Sequence, residues 1–274
     1  MISDVEDSIK HYLPKYRSIF ISDTHLGSPH SNLKYLKDFL IKNDCKYLYL
    51  VGDIIDGWRF KRGKSWNEEA TNIIQILLRK AKKSKTCTYL IGNHDDFLRD
   101  YKNSMVEKIH LTDSTVHVGK DGKRYLVVHG DLFDSVTRYS KLFALFADKM
   151  YSFLIYLNHF FNYFRRRFLN GKYWSLSAYI KKKSKDAINF IFEFEKAITT
   201  YAKQKQFNGV ICGHIHTPEI KKVDETFYYN CGDWVESHTA LVENHDGTFE
   251  IINWAEIASN NEFEEKKNIK RKVA

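Results

Sequence analysis

Proline is nearly missing from this sequence, present only as Pro14, Pro29 and Pro218, and no stretch rich in Gly, Ser or Pro divides the chain. A flexible linker between tandem domains is therefore not expected. A length of 274 residues suits one large core, or one core with a modest insertion. Cysteine is scarce too: Cys45, Cys87, Cys212 and Cys231 form no C-x-x-C pair and no secretory framework. They suit small buried thiols in a reducing compartment rather than a disulfide scaffold. Long apolar runs are lacking as well. The longest uncharged stretch, Met150 to Phe164, is interrupted by Asn158, His159 and Asn162 and falls short of the ~20 residues a spanning helix needs. Met1 to Lys15 has no apolar core of the kind a signal peptide carries, so a cytoplasmic location is expected.

What is present is an ordinary globular composition, 43% hydrophobic and 28% charged, which excludes a disordered chain. The net charge of +9 is unevenly placed. Between Ser135 and Lys185 stand eleven basic residues (Arg138, Lys141, Lys149, Arg165, Arg166, Arg167, Lys172, Lys181, Lys182, Lys183, Lys185) against one acid, Asp148. The rest of the chain is near neutral, so an anionic partner held at one place is expected.

Short apolar runs alternate with amphipathic stretches. Strands are expected at Arg17–Ser22, Tyr47–Gly52, Cys87–Ile91, Arg124–His129 and Gly209–Cys212, each running into Gly or Asp. Helices are expected at Asn32–Lys42, with Leu33, Leu36, Phe39 and Leu40 on one face, and at Asn67–Lys82, with Ile73, Ile74, Leu77 and Leu78 on one face. Phe227–Asn230, Thr239–Glu243 and Phe249–Trp254 read as a closing antiparallel set, with Asp246-Gly247 as a hairpin turn. The class is α/β, a layered β-sheet sandwich flanked by helices. One domain is expected over residues 1–258, with a basic, aromatic helical insertion at about 135–206 and a charged tail at 259–274.

Each expected strand ends in side chains that bind metals. The first leads to Asp23-Thr24-His25 and the second to Gly52-Asp53-Ile54-Ile55-Asp56. The third leads to Gly92-Asn93-His94-Asp95, the fourth to His129-Gly130-Asp131 and the fifth to Gly213-His214-Ile215-His216. Ligands in open α/β sheets sit beyond the carboxyl ends of the strands, so five such clusters can converge. Imidazole, carboxylate and amide oxygen without thiolate suit divalent ions, Mn²⁺ foremost and Fe²⁺ or Zn²⁺ as alternatives. Two such ions ~3.5–4 Å apart clamp both oxygens of a displacement at phosphorus. Any one of these motifs alone is weak, and the set of five in this order carries the expectation.

The set Asp-x-His, Gly-Asp-x-x-Asp, Gly-Asn-His-Asp, His-Gly-Asp, Gly-His-x-His resembles the calcineurin-like metallophosphoesterase superfamily. Ser22-Asp23-Thr24-His25-Leu26-Gly27, the early Gly52-Asp53 and the basic insertion resemble, within it, the UDP-2,3-diacylglucosamine hydrolase group of lipid A synthesis. The resemblance covers about Ser18 to Trp254. It implies that Asp23, His25 and His216 bind one metal, that Asn93, His129 and His214 bind the other, and that Asp53 bridges both. It implies that His94 is no ligand but steadies the transition state or protonates the leaving oxygen. Here the chain departs from the lipid A hydrolases, which carry Arg where this sequence has His94.

Around these, Asp56, Asp95 and Asp131 are candidates to orient ligand histidines, and Asp233 and Trp234 to line the site. No chemistry is assigned to His30, His110, His117, His159, His238 or His245. Trp58 and Arg59, and Arg165, Arg166 and Arg167 after the aromatic stretch, are expected to contact substrate. Guanidinium groups fork onto phosphate, and an aromatic helix offers acyl chains an apolar groove. The expected substrate is the diphosphate of UDP-2,3-diacylglucosamine or a related nucleotide-linked lipid, cut to a lipid phosphate and UMP at an anionic membrane surface, the inner face of the cytoplasmic membrane. A phosphodiesterase acting on nucleotides or nucleic acid is the alternative, although nucleic acid is not among the expected partners.

Overall fold

A computed structural model describes residues 14–29, 31–60, 66–134 and 185–260. In chain order these form β1 (Tyr16–Ile21), α1 (Leu33–Lys42), β2 (Cys45–Val51), a short α2 (Gly57–Phe60), α3 (Glu68–Lys83), β3 (Thr86–Leu90) and a 3-10 helix, Asp96–Tyr101. There follow β4 (Met105–Val106), β5 (Ile109–Thr112), β6 (Ser114–Val118), β7 (Arg124–Val128) and a 3-10 turn, Asp131–Phe133. After residue 184 come α4 (Lys185–Gln204), β8 (Gly209–Cys212), β9 (Glu219–Val223), β10 (Thr226–Asn230), β11 (Thr239–Glu243) and β12 (Phe249–Asn253).

The strands build a seven-stranded sheet, order β12-β11-β1-β2-β3-β5-β4, and a five-stranded sheet, order β6-β7-β8-β10-β9. Within the first, β1, β2, β3 and β5 run parallel; within the second, β7, β8 and β10 do. The alternation of side chains along each strand sets the layers. Phe20, Tyr49, Val51, Leu90, Tyr125, Val127, Ile211 and Leu241 meet between the sheets. Ile19, Ile21, Leu48 and Leu50 point the other way, onto Leu33, Leu36, Phe39 and Leu40 of α1 and onto Ile73 and Leu77 of α3. Leu126, Val128, Val210 and Tyr228 leave the far face of the second sheet, where Phe194, Ile198 and Ala202 of α4 cover them. The order is thus helix, sheet, sheet, helix, with a buried Leu or Phe contributing about 1.5–3 kcal/mol at each interface.

The helices begin where their caps dictate. Asn32 accepts from the Tyr35 amide at 3.4 Å and Asn67 from the Ala70 amide at 2.8 Å, a cap worth about 1 kcal/mol. The apolar face of α1 is the one its sequence spells out. On α3 the buried residues are Ala70, Ile73, Ile76, Leu77, Lys80 and Ala81, with Ile74 and Leu78 only partly covered. The face is rotated from the expected one because Lys80 turns inward, its Nζ 2.6 Å from the Asn43 carbonyl and 2.5 Å from Asp44 Oδ1.

The expected closing antiparallel set is split between the sheets. β10 lies parallel to β8 in the second sheet, while β11 and β12 join the first, β11 antiparallel to β1. Periodicity reports which face is buried, not which strand lies alongside. The Asp246-Gly247 hairpin is as expected, with Gly247 at φ 95 and the Thr248 amide donating to Asp246 at 2.9 Å. The C-terminal end of the expected insertion, α4, supplies the outer layer of the second sheet. Residues 135–184, with Arg165, Arg166 and Arg167 and the aromatic stretch, lie outside the described residues. No helix among the described residues is long and apolar enough to cross a membrane.

Candidate metal centre

All the parallel strands deliver their carboxyl ends to one rim, where the two sheets are tied together. The Gly213 amide of the loop after β8 donates to the His129 carbonyl at 3.1 Å, and His129 Nδ1 reaches the Val51 carbonyl at the end of β2 at 2.9 Å. The backbone there is contorted. Asp23 (φ 52), His25 (φ 45), Asp53 (φ 53), His214 (φ 69) and His216 (φ 51) all occupy the left-handed region, which costs a residue with a side chain roughly 1–3 kcal/mol. Crossed hydrogen bonds hold them in it. Asp23 N donates to Gly52 O at 3.0 Å, His25 N to Asp53 O at 2.9 Å and Trp234 N to Asp23 O at 3.1 Å. His214 N donates to Asp23 Oδ2 at 2.9 Å.

These turns aim the side chains at a common centre. Asp23 Oδ1 lies 3.1 Å from His216 Nε2 and 3.8 Å from His25 Nε2. Asp53 Oδ2 lies 3.9 Å from His25 Nε2 and 3.3 Å from His129 Nε2, so it stands between two groups. One is Asp23, His25 and His216; the other is Asp53, His129 and His214; in each, one ligand atom per residue falls within 4.8 Å of the rest. Asn93 Oδ1 joins the second group 3.3 Å from His129 Nε2. His94 stands beside Asp53 and His25 in a third, overlapping group.

The donor set fits divalent cations. Asp23 Oδ1 is buried and accepts no well-directed hydrogen bond, and the Nε2 atoms of His25 and His216 face one another at 3.4 Å. Burial, reinforced by neighbouring His94, lowers His25 to about 4, leaving a neutral ring with a free lone pair, the form that binds metal. Burial opposes ionisation of Asp23 and Asp53, but the imidazoles of His216 and His129 outweigh it and hold both carboxyls below their ordinary range. Two glycines make room for these carboxylates. A Cβ on Gly92 would stand 2.2 Å from Asp53 Oδ1, and one on Gly213 would stand 2.4 Å from Asp23 Oδ2.

The surrounding residues divide by what they hold. Asp56 Oδ1 faces His94 Nδ1 at 3.2 Å, and Arg59 Nε donates to Asp56 Oδ2 at 3.2 Å. Trp58, 43% exposed at the rim, stacks on His94 with ring centroids 3.9 Å apart. The Asp56 hydrogen bond and the charge of Asp53 raise the pKa of His94 against the effect of burial. Asp95 orients no histidine; it accepts from the amides of Ile54 and Ile55 at 3.1 and 2.8 Å and from Tyr89 Oη at 2.8 Å. It thereby pins the loop behind Asp53, and burial with the Asp53 charge pushes it up to about 7. Asp131 pairs instead with Arg99 at 2.8 Å. Asp233 and Trp234 are fully buried. Asp233 caps the amide of Val235 at 2.8 Å, and Trp234 packs on Phe39. One partner was not legible beforehand: Asp134 Oδ1, 2.8 Å from His214 Nε2, a lone acid three residues past Asp131 that reads as solvated.

A family model described as "Calcineurin-like phosphoesterase" matches residues 16–218. A UDP-2,3-diacylglucosamine hydrolase of Blochmanniella pennsylvanica is 25% identical over 213 residues, covering 75% of this chain and 81% of that protein. Its namesake in Aliivibrio fischeri is 24% identical over 248 residues, covering 85% and 96%. Among solved structures, an archaeal phosphodiesterase superposes with a TM-score of 0.42 at 12% identity, over 86% of this chain and 98% of that one.

Proposed function

Because the chain belongs to the calcineurin-like phosphoesterase family, and is thus a metal-dependent phosphoesterase, we propose that it holds two divalent ions, Mn²⁺ foremost, and hydrolyses the diphosphate of UDP-2,3-diacylglucosamine or a related nucleotide-linked lipid. The products are UMP and a lipid phosphate. The carrying observation is that Asp23, His25, Asp53, Asn93, His129, His214 and His216, drawn from five strand ends, gather at one rim. Asp23, His25 and His216 would hold one ion and Asn93, His129 and His214 the other, with Asp53 as the ligand common to both. The choice of substrate is supported by the relatives, which align along most of their own length, and by the basic, aromatic segment between β7 and α4.

When bound, the ions supply positive charge against the phosphoryl oxygens and acidify water. The protein does the rest. Its crossed backbone hydrogen bonds fix the carboxylates of Asp23 and Asp53 before substrate arrives, so little reorganisation accompanies the reaction. Asp56 accepts a hydrogen bond from Nδ1–H of His94, which leaves Nε2 as the edge turned to the reacting group. The raised pKa of His94 favours the protonated ring, the form that can donate to the departing oxygen. Trp58, on the face of His94, and Arg59, on Asp56, are assigned to contact with the leaving portion. Arg165, Arg166 and Arg167 are assigned to the diphosphate and to an anionic membrane face.

The test compares three substrates with Mn²⁺ present: UDP-2,3-diacylglucosamine, a UDP-sugar without acyl chains, and bis(p-nitrophenyl) phosphate. Release of UMP from the acylated substrate at a kcat/KM far above the other two is expected. Efficient cleavage of the simple diester with none of the acylated nucleotide would instead favour a general phosphodiesterase.

A further inference from the structure

The loop that follows β7 brings an acid to the metal centre which none of the five motifs contains. Asp134, immediately after the 3-10 turn, sets Oδ1 2.8 Å from Nε2 of His214. The His214 ring has little freedom. It stands edge-on to His129 with centroids 5.0 Å apart and lies 6.0 Å from the ring of Phe194. Its own amide is tied to Asp23 Oδ2 at 2.9 Å. Gly130, at φ 124, passes so close that a Cβ there would lie 2.8 Å from Phe194 and 3.3 Å from His214 Cβ. The turn itself is braced by the Phe133 amide on Gly130 O at 3.0 Å and the Asp134 amide on Asp131 O at 3.1 Å.

A histidine that ligates a metal through one ring nitrogen donates from the other, and a carboxylate on that second nitrogen fixes both tautomer and ring direction. His129 solves the same problem with a backbone carbonyl, its Nδ1 on Val51 O at 2.9 Å. At His214 it is Asp134 that occupies Nε2. We propose that Asp134 is a positioning residue for the second metal. It holds the Nε2–H tautomer of His214 and so presents Nδ1 to the ion shared with Asn93, His129 and Asp53. The inference rests on reading His214 as a metal ligand. It goes further in making one of the two metal positions depend on a half-exposed acid outside the motifs, its side chain 48% exposed.

The consequence is asymmetric, and the asymmetry is what an experiment reads. Asp134 reaches the centre through His214, which belongs with Asp53 and His129 and not with Asp23, His25 and His216, so the ion of that other group should be indifferent to a change there. Mn²⁺ binding to the metal-stripped full-length protein is measured by calorimetry, with electron paramagnetic resonance to report the spin-coupled pair. Asp134→Ala is expected to weaken one of two Mn²⁺ sites by about 10–100-fold and to leave the other unchanged. The coupled-pair signal should then appear only at excess metal. Asp134→Asn, which keeps an oxygen for Nε2–H, should recover most of the lost affinity. The melting temperature of the metal-free variants should match that of the parent, since the acid is half exposed.

Wild-type affinity at both sites in Asp134→Ala overturns the proposal, as does an equal loss at both, which would mark a general structural role. If the parent protein binds no Mn²⁺ at all, the metal centre itself is misread and the proposal falls with it. If the parent binds two ions and Asp134→Ala does the same, the centre stands and Asp134 alone is refuted.

Discussion

The imidazole of His94 lies nearly flat against the indole of Trp58, ring centroids 3.9 Å apart and planes 27° apart. Asp56 holds the ring's edge and Trp58 its face, so one nitrogen is left to point into the metal centre.

Removing the face should therefore cost less than removing the ring. His94→Ala is expected to lower kcat by about 100-fold or more, in the range of a lost general acid. Trp58→Ala should lower it about tenfold, and Trp58→Phe, which keeps an aromatic face, much less. Both losses should be larger for an alkyl leaving group than for p-nitrophenolate, which needs no proton. Equal losses on the two leaving groups would count against proton donation by His94.

Gly92 faces Asp53 with no space to spare. Gly92→Ala must push the central carboxylate or its loop by several tenths of an ångström, and a displacement of that order is expected to cost about 100-fold in kcat. Metal titration of the same variant should show weaker binding at both positions, because Asp53 stands between them. A variant with wild-type metal stoichiometry and rate would show that Asp53 is not the shared ligand.

Stripping the metal with a chelator should abolish turnover and also soften the fold around the strained turns at Asp23, His25, Asp53, His214 and His216. An ion present at 100 times its Kd adds about 2.7 kcal/mol. A fall in melting temperature of roughly 5–10 °C is expected on removal, reversed by Mn²⁺. No shift in melting, measured by calorimetry, would mean that no ion binds the folded site.

Away from the metal centre, Glu243 accepts from Ser18 at 2.7 Å, from His117 at 2.9 Å, from the Lys120 amide at 2.8 Å, and from Arg17. Burial alone would raise its pKa, but the hydrogen bonds from His117, Ser18 and the Lys120 amide bring it from 4.5 down to about 2. A depressed carboxyl stabilises the fold fully above its unfolded value and loses that contribution as pH falls through the folded one. Unfolding free energy should therefore drop between pH 4.5 and about 2. Glu243→Gln should be about 2 kcal/mol less stable at neutral pH, as hydrogen bonds to a charged group are worth, and flatter across that acid window. A variant with the parent's acid dependence would assign the acid limb to other carboxyls.

Replacing Arg165, Arg166 and Arg167 together with Ala should weaken co-sedimentation with vesicles containing anionic lipid, by roughly 1 kcal/mol per lost charge near the surface. Binding to neutral vesicles should be unaffected. Undiminished binding to the anionic vesicles would remove the membrane from the proposed function.

Much of this molecule could be read along the chain. Strands announced themselves as short apolar runs broken by Gly or Asp, and both early helices by a repeating apolar face. The candidate metal ligands were legible because a strand end followed by Asp, His or Asn puts chemistry at a known rim. β4, β5, β6 and β9 escaped notice. β4 has two residues and β5 four, while β6 and β9 are partly exposed edge strands whose polar residues resemble loop.

Local pattern determined which side of most elements is buried, α3 being rotated from its expected face, since that depends on a period of 2 or 3.6 residues that the chain carries by itself. It determined likewise which residue types stand at the strand ends. Only the tertiary structure decided which strands are neighbours, sending β10 to one sheet and β11 to the other. It alone turned Lys80 inward to Asp44, set Asp95 behind the Asp53 loop and brought Asp134 to His214. Each of these is a pairing between polar groups far apart in sequence or on separate loops. A polar side chain shows its preference for water locally, whereas the partner that makes its burial or orientation favourable exists only once the chain has closed around it.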